Sequence, residues 1–268
     1  MRERKMLPAY QRLKTDENLQ DGSKKAAFTI AFGNFSLMTV SLPLFSFIFC
    51  VAYSIIFFFE ESVSTHCHVW NYLPSISAAI GAFQPQAFVW QTAIVLHFIP
   101  RLTVTWMYFN FYTQQIKRNR QNVANVAIFL NLIENICLLG LSLYNSTTYY
   151  DYHKVFFCTF IVTSELYMML SYYLNKSARR NPNLDQREMK SLRLKRNLCI
   201  INIISILLAT YFFIRHNDHC EGGIYTLFAF FEYIVVLTNM GFHLTSIYDF
   251  HNQHLIFDWT YGIRVHYQ

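Results

Sequence analysis

The chain has 268 residues, 53% hydrophobic and 18% aromatic, with only 14% charged, against roughly 25% charged in soluble domains. That deficit excludes an ordinary soluble globule, and six cysteines in a chain this long do not make a disulfide framework. The net charge of +6 would suit a nucleic-acid binder, but the Lys and Arg residues sit between apolar blocks, where they set membrane topology; no nucleic-acid partner is expected.

The first apolar run covers residues 35–59, 25 residues without a charge, and about 20 suffice to cross a bilayer core. It is too long and too far from the start for a cleavable signal, so it reads as a signal anchor. Further spans are predicted at 88–112, 123–144, 154–174, 198–214 and 224–248. Irregular backbone cannot face lipid, so each should be an α-helix. The expected fold is therefore all-α, with six transmembrane helices. It divides into an N-terminal segment 1–34, a six-helix domain 35–248 and a polar tail 249–268.

The basic residues alternate strictly. Seven precede the first span (Arg2, Arg4, Lys5, Arg12, Lys14, Lys24 and Lys25), and none follow it in loop 1. Loop 2 has Lys117, Arg118 and Arg120, whereas loop 3 has none before Lys154 at its edge. Loop 4 has eight: Lys176, Arg179, Arg180, Arg187, Lys190, Arg193, Lys195 and Arg196. Loop 5 has Arg215, and the tail Arg264. This pattern predicts both termini and loops 2 and 4 in the cytosol, with loops 1, 3 and 5 lumenal or extracellular. The basic loops then report topology, or loop 4 also binds anionic lipid.

Loop 1, residues 60–87, is long, apolar and broken by Pro74 and Pro85. It reads as a re-entrant or interfacial segment shielded by protein. Loops 1 and 5 each carry one cysteine on the oxidising side, which predicts a Cys67–Cys220 disulfide. Cys50, Cys137, Cys158 and Cys199 fall in spans and read as packing residues. Asn145-Ser146-Thr147 is a glycosylation sequon in loop 3. His66, His68, His216 and His219 flank loops 1 and 5, but their spacing matches no zinc signature; contact with lipid phosphate is the preferred reading, and no metal or other cofactor is expected.

Ionisable groups inside the spans carry the functional signal, because a charge at the bilayer centre needs a partner or a cavity. His97 and Arg101 lie one turn apart on the second span. The third carries Asn131, Glu134 and Asn135, and the fourth Glu165. On the sixth, Glu232, Asn239 and His243 form one stripe about 16 Å long. Arg101 and the three glutamates are expected to converge. They would form either an ion-pair network that fixes packing or a polar cavity, open to the lumen, for a phosphorylated lipid headgroup. In the second case Arg101 would hold the phosphate, and His97, His243 or a glutamate would handle a proton.

The segment Thr65-His66-Cys67-His68-Val69-Trp70-Asn71-Tyr72-Leu73-Pro74-Ser75-Ile76-Ser77-Ala78-Ala79-Ile80-Gly81 resembles the post-GPI-attachment-to-proteins factor 2 family. So do Pro85-Gln86, Val89-Trp90, Leu96-His97, Pro100-Arg101, Arg215-His216-Asn217, Cys220-Glu221, Tyr225-Thr226, Glu232-Tyr233, residues 235–240 (Val-Val-Leu-Thr-Asn-Met) and Phe242-His243. The resemblance runs from about residue 30 to 250, and the wider family includes the six-span FRAG, DRAM and Sfk proteins. The chain departs at Ala82-Phe83-Gln84, where the family carries a Gly and an acidic residue.

The resemblance implies a multi-pass protein of the Golgi membrane, or also of the endoplasmic reticulum, that remodels GPI anchors after their attachment to protein. The implied step is reacylation of lyso-GPI at sn-2 with a saturated chain; the alternative is a lipid-binding scaffold serving a separate acyltransferase. Its partners would be GPI-anchored proteins or lyso-GPI, an acyl donor lipid or acyl-CoA, and the membrane. The candidate catalytic residues are His97, Glu134, Glu165, Glu232 and His243. The candidate headgroup contacts are Arg101, Asn71, Ser75, Arg215, His216 and Asn239.

Overall fold

A computed structural model describes residues 26–81, 83–258 and 262–267. The basic residues of the N-terminal segment and Ala82 lie outside these described residues. The chain forms two compact units, one spanning Ser36–Asp249 and the other combining the residues up to Phe35 with those from Phe250 onward.

Among the described residues, six helices are long and apolar enough to cross a membrane. They are α1 (Phe32–Phe57), α4 (Gln86–Gln115), α5 (Gln121–Leu143), α6 (Tyr150–Ser177), α7 (Gln186–His219) and α8 (Ile224–Leu244). Two short helices, α2 (Phe59–Val63) and α3 (Ile76–Gly81), interrupt loop 1, and α9 (Ser246–Asp249) follows α8. Successive long helices from α4 to α8 pack on their neighbours, as short connections in a bundle require.

The helix ends differ from the sequence reading most at α7, which starts at Gln186 rather than 198. The reason is a capping box. The Asp185 carboxylate accepts from the Glu188 amide at 2.7 Å, and the Glu188 carboxylate accepts from the Asp185 amide at 3.1 Å, satisfying two end donors at once. Hydropathy follows lipid contact, so it missed a charged helical extension beyond the apolar stretch. Arg187, Lys190, Arg193 and Arg196 lie exposed on that extension, whereas Lys195 is buried. Loop 4 is also tied to loop 2. The Lys117 amide donates to the Ala178 carbonyl at 2.9 Å, and the Arg180 amide to Gln115 at 2.8 Å.

Loop 1 folds inward at α3. Ile76 and Ile80 join Phe47 and Cys50 of α1 and Trp90 and Ile94 of α4 in one buried apolar cluster. The α3 backbone is held by α8: the Ile76 amide donates to Glu232 at 2.9 Å, and the Tyr233 hydroxyl to the Pro74 carbonyl at 2.7 Å. Loop 1 also closes over loop 5 through the Cys67–Cys220 disulfide, as expected. Trp70 lies on Gly222 and Gly223. A Cβ on Gly222 would come within 2.5 Å of the indole, and Gly223 has φ +79°, a conformation open chiefly to glycine.

The second unit holds a feature the sequence reading did not find. Strands β1 (Ala26–Ala31), β2 (Gln253–Asp258) and β3 (Gly262–Tyr267) form an antiparallel sheet in that order, with Thr29 opposite Ile256 and Leu255 opposite Val265. Leu255, Phe32 and Phe250 are buried, and the two phenylalanine rings meet edge-on at 4.8 Å. The tail is thus partly strand rather than a plain polar segment. The partners of β1 lie more than two hundred positions away, so its pairing leaves no local signal, and β2 and β3 are six-residue strands too short to stand out in hydropathy.

Candidate functional site

A cavity of about 730 Å³ lies within the larger unit, walled by apolar side chains from α1, α3, α4, α5, α6, α7 and α8. Polar groups line it at two levels. At the end bearing loops 1, 3 and 5 stand Ser75, Ser77, His153 and Glu232; deeper stand His97, Arg101, Asn239 and His243. Glu232 and His243 are separated by about 16 Å along α8, at roughly 1.5 Å per residue.

The deep level is organised by Glu134 of α5, which is only 1% exposed. Its Oε1 accepts from Arg101 Nη2 at 3.2 Å, from Asn239 Nδ2 at 3.2 Å and from His243 Nε2 at 2.8 Å. Its Oε2 accepts from Asn131 Nδ2 at 2.9 Å. Four donors converge on one carboxylate, three of them on Oε1, so Glu134 orients its neighbours. Arg101 Nε donates to Asn135 at 2.8 Å, and Asn239 donates to Ser164 at 2.6 Å. His243 lies parallel to Tyr167, with centroids 5.5 Å apart. Because His243 donates through Nε2, its neutral ring keeps Nδ1 as the nitrogen able to take a proton. Ser164 and Tyr167 escaped the sequence reading, since nothing in a span marks a hydroxyl that supports an amide.

The expected convergence of all three glutamates on Arg101 does not occur. Glu232 holds the α3 backbone instead, and Glu165 has a buried Oε2 with no hydrogen-bond partner. Helical phase was right for the Glu232, Asn239 and His243 stripe, but the stripe is longer than one arginine can reach. His97 lines the cavity beside Arg101, as its spacing implied.

The proposed headgroup contacts separate too. Arg101, Ser75 and Asn239 line the cavity, whereas the other three are engaged with neighbours in loop 1, loop 5 and the end of α7. Asn71 donates to the Val63 and Val69 carbonyls at 3.3 and 3.2 Å, and its Oδ1 is buried without a partner. Arg215 pairs with Glu221 at 2.8 Å and holds that carboxyl below its ordinary value through their hydrogen bonds. His216 meets the Thr65 hydroxyl at 3.0 Å. His66, Cys67 and His216 are close enough to suggest a metal site, but the Cys67 sulfur is bonded to Cys220, which removes the thiolate such a site would need. Asn145 accepts from the Thr148 amide at 2.7 Å, folding the sequon into a turn.

A second buried charge cluster went unnoticed. Lys195 of α7, 1% exposed, pairs with Asp249 of α9 and donates to Ser191 at 2.7 Å. Asp249 also accepts from Tyr108 at 2.7 Å and from Ser191 at 2.6 Å. Loop counting had placed Lys195 among topology charges and Asp249 in the tail.

Residues 31–253 match the Frag1/DRAM/Sfk1/Cwh43P N-terminal domain. The chain belongs to this family. Among its members, "Post-GPI attachment to proteins factor 2" of Drosophila melanogaster is 46% identical over 258 residues, 96% of this chain and 98% of that one. That alignment reaches beyond residues 30–250, where the motif resemblance ended. "Acyltransferase PGAP2" of Xenopus tropicalis is 39% identical over 231 residues, covering 85% of this chain and 91% of its own. "Protein cwh43" of Schizosaccharomyces pombe is a more distant Frag1 relative, 26% identical over 67% of this chain and 17% of its own. No solved structure matches.

Proposed function

We propose that this protein remodels the lipid of GPI anchors after their attachment to protein, by transferring a saturated acyl chain to the sn-2 hydroxyl of lyso-GPI. The observation that carries this reading is the cavity. Its walls are apolar enough for acyl chains, its volume of about 730 Å³ is in the range of ligand pockets, and a buried arginine and imidazole stand at its deep end. Arg101, fixed by Glu134 and Asn135, is the phosphate contact. His243, fixed by Glu134, is the base for the acceptor hydroxyl. The names of the Drosophila and Xenopus relatives point the same way.

The site belongs to the Golgi membrane in this reading, with both termini cytosolic and loops 1, 3 and 5 in the lumen. The alternating basic residues support that orientation, as does the disulfide between loops 1 and 5. The donor is a membrane phospholipid or acyl-CoA.

Purified full-length protein in liposomes, given lyso-GPI and either donor, is expected to yield diacyl GPI, and Arg101→Ala to lose that product. The four hydrogen bonds that Glu134 accepts from its neighbours favour one alternative, a scaffold in which the cluster only fixes packing. Absence of transfer with both donors, together with a co-purifying acyltransferase, would establish the scaffold.

A further inference from the structure

The loop end of the cavity contains a pair that the proposed chemistry does not use. Ser77, on α3, and His153, in the first turn of α6, both line the cavity. Ser77 Oγ lies 3.1 Å from His153 Nε2, and His153 Nδ1 lies 2.7 Å from the Tyr144 carbonyl oxygen. A carbonyl can only accept, so Nδ1 carries the proton. In the neutral ring Nε2 is then the bare nitrogen, and the Ser77 hydroxyl donates to it. This is the arrangement of an activated serine: a nucleophile, a base within hydrogen-bond reach, and a third group that fixes the base's tautomer. His153 is buried, Ser77 is half-buried, and Glu232 and Tyr233 hold the α3 start on which Ser77 sits.

We propose that Ser77 and His153 form a nucleophile–base pair that takes an acyl group from an ester or thioester donor into a covalent acyl-serine. The inference rests on the acyl-transfer reading and divides that reaction in two. In the first half, Ser77 Oγ attacks the donor carbonyl and its proton passes to His153 Nε2. The bond from carbonyl carbon to the leaving oxygen or sulfur breaks, and His153 protonates the departing alcohol or thiol. In the second half, the acceptor hydroxyl attacks the acyl-serine carbonyl and gives its proton to His153. The Ser77 ester bond breaks, and that proton returns to Ser77 Oγ. This route makes His153 rather than His243 the base for the acceptor hydroxyl, and direct transfer assisted by His243 is the competing route.

The test uses full-length protein in detergent with two probes, an alkyl fluorophosphonate and the p-nitrophenyl ester of a long saturated acid. The expected result is one adduct per chain by intact mass, mapped to Ser77. It should be absent in Ser77→Ala, reduced at least about tenfold in His153→Gln, and unchanged in Ser41→Ala, a half-buried serine of α1 that does not line the cavity. Lyso-GPI reacylation should fall in parallel. Adduct formation in His153→Gln equal to wild type would overturn the proposal, as would an unlabelled Ser77 in protein with a normal thermal unfolding midpoint. Full reacylation by Ser77→Ala would overturn it in favour of the direct route. If Ser77 is labelled but no lyso-GPI is acylated, the pair stands and the GPI reading fails. Should Ser77→Ala not fold, the His153→Gln labelling rate decides.

Discussion

Two buried charge clusters in the larger unit differ in one respect. Lys195 and Asp249 pair with each other, and Ser191 and Tyr108 complete their hydrogen bonds. None of these four is among the described residues that line the cavity. Arg101 and Glu134 are just as deeply buried and likewise paired, yet Arg101 and its neighbours His97, Asn239 and His243 face open space. Burial of a charge therefore does not by itself mark a site. A closed cluster fixes the packing of α4, α7 and α9, whereas a cluster on a cavity wall can meet a ligand.

Replacing each pair by apolar residues gives the largest contrast. Arg101→Met with Glu134→Leu should lower lyso-GPI acylation by about 10²–10³-fold, the scale of losing a pre-oriented charged contact. Lys195→Met with Asp249→Leu should leave it within about threefold, because well-packed apolar substitutes for a buried ion pair are often neutral. Turnover by folded protein in liposomes measures both, and equal losses would erase the distinction.

Removing one partner should harm both clusters alike. Glu134→Ala and Asp249→Ala each leave a buried cation without its carboxylate, and each should cost about 3–5 kcal/mol. Denaturant or thermal unfolding in a mild detergent checks this; an undiminished midpoint for either would mean that water already reaches that cluster. The smallest effect separates the supporting hydroxyls. Ser191→Ala and Ser164→Ala should each cost about 1 kcal/mol, but only Ser164→Ala, which releases Asn239 at the cavity wall, should also raise the KM for lyso-GPI.

Much of the candidate site was legible in part. Arg101, Glu134, Asn239 and His243 stand out because ionisable and amide groups within spans are rare, and their helical phase pointed inward. Glu165 and Glu232 carry the same signal but have other surroundings. Composition marks a residue as needing a partner without saying which one. No sequence pattern paired Ser77 with His153, since a serine in an apolar loop and a histidine at a helix edge are ordinary until α3 folds inward beside α6.

The sequence alone determined the six spans, the alternation of basic loops and the cysteine pair between loops 1 and 5. These follow from transfer of side chains between water and lipid, and from which loops share an end, both properties of local composition and order. Tertiary structure alone decided which buried charges meet, that Lys195 leaves the basic face to join Asp249, that the tail pairs with residues before α1, and that a cavity remains between the helices. Those outcomes depend on distances between side chains far apart in the chain, which no local pattern encodes.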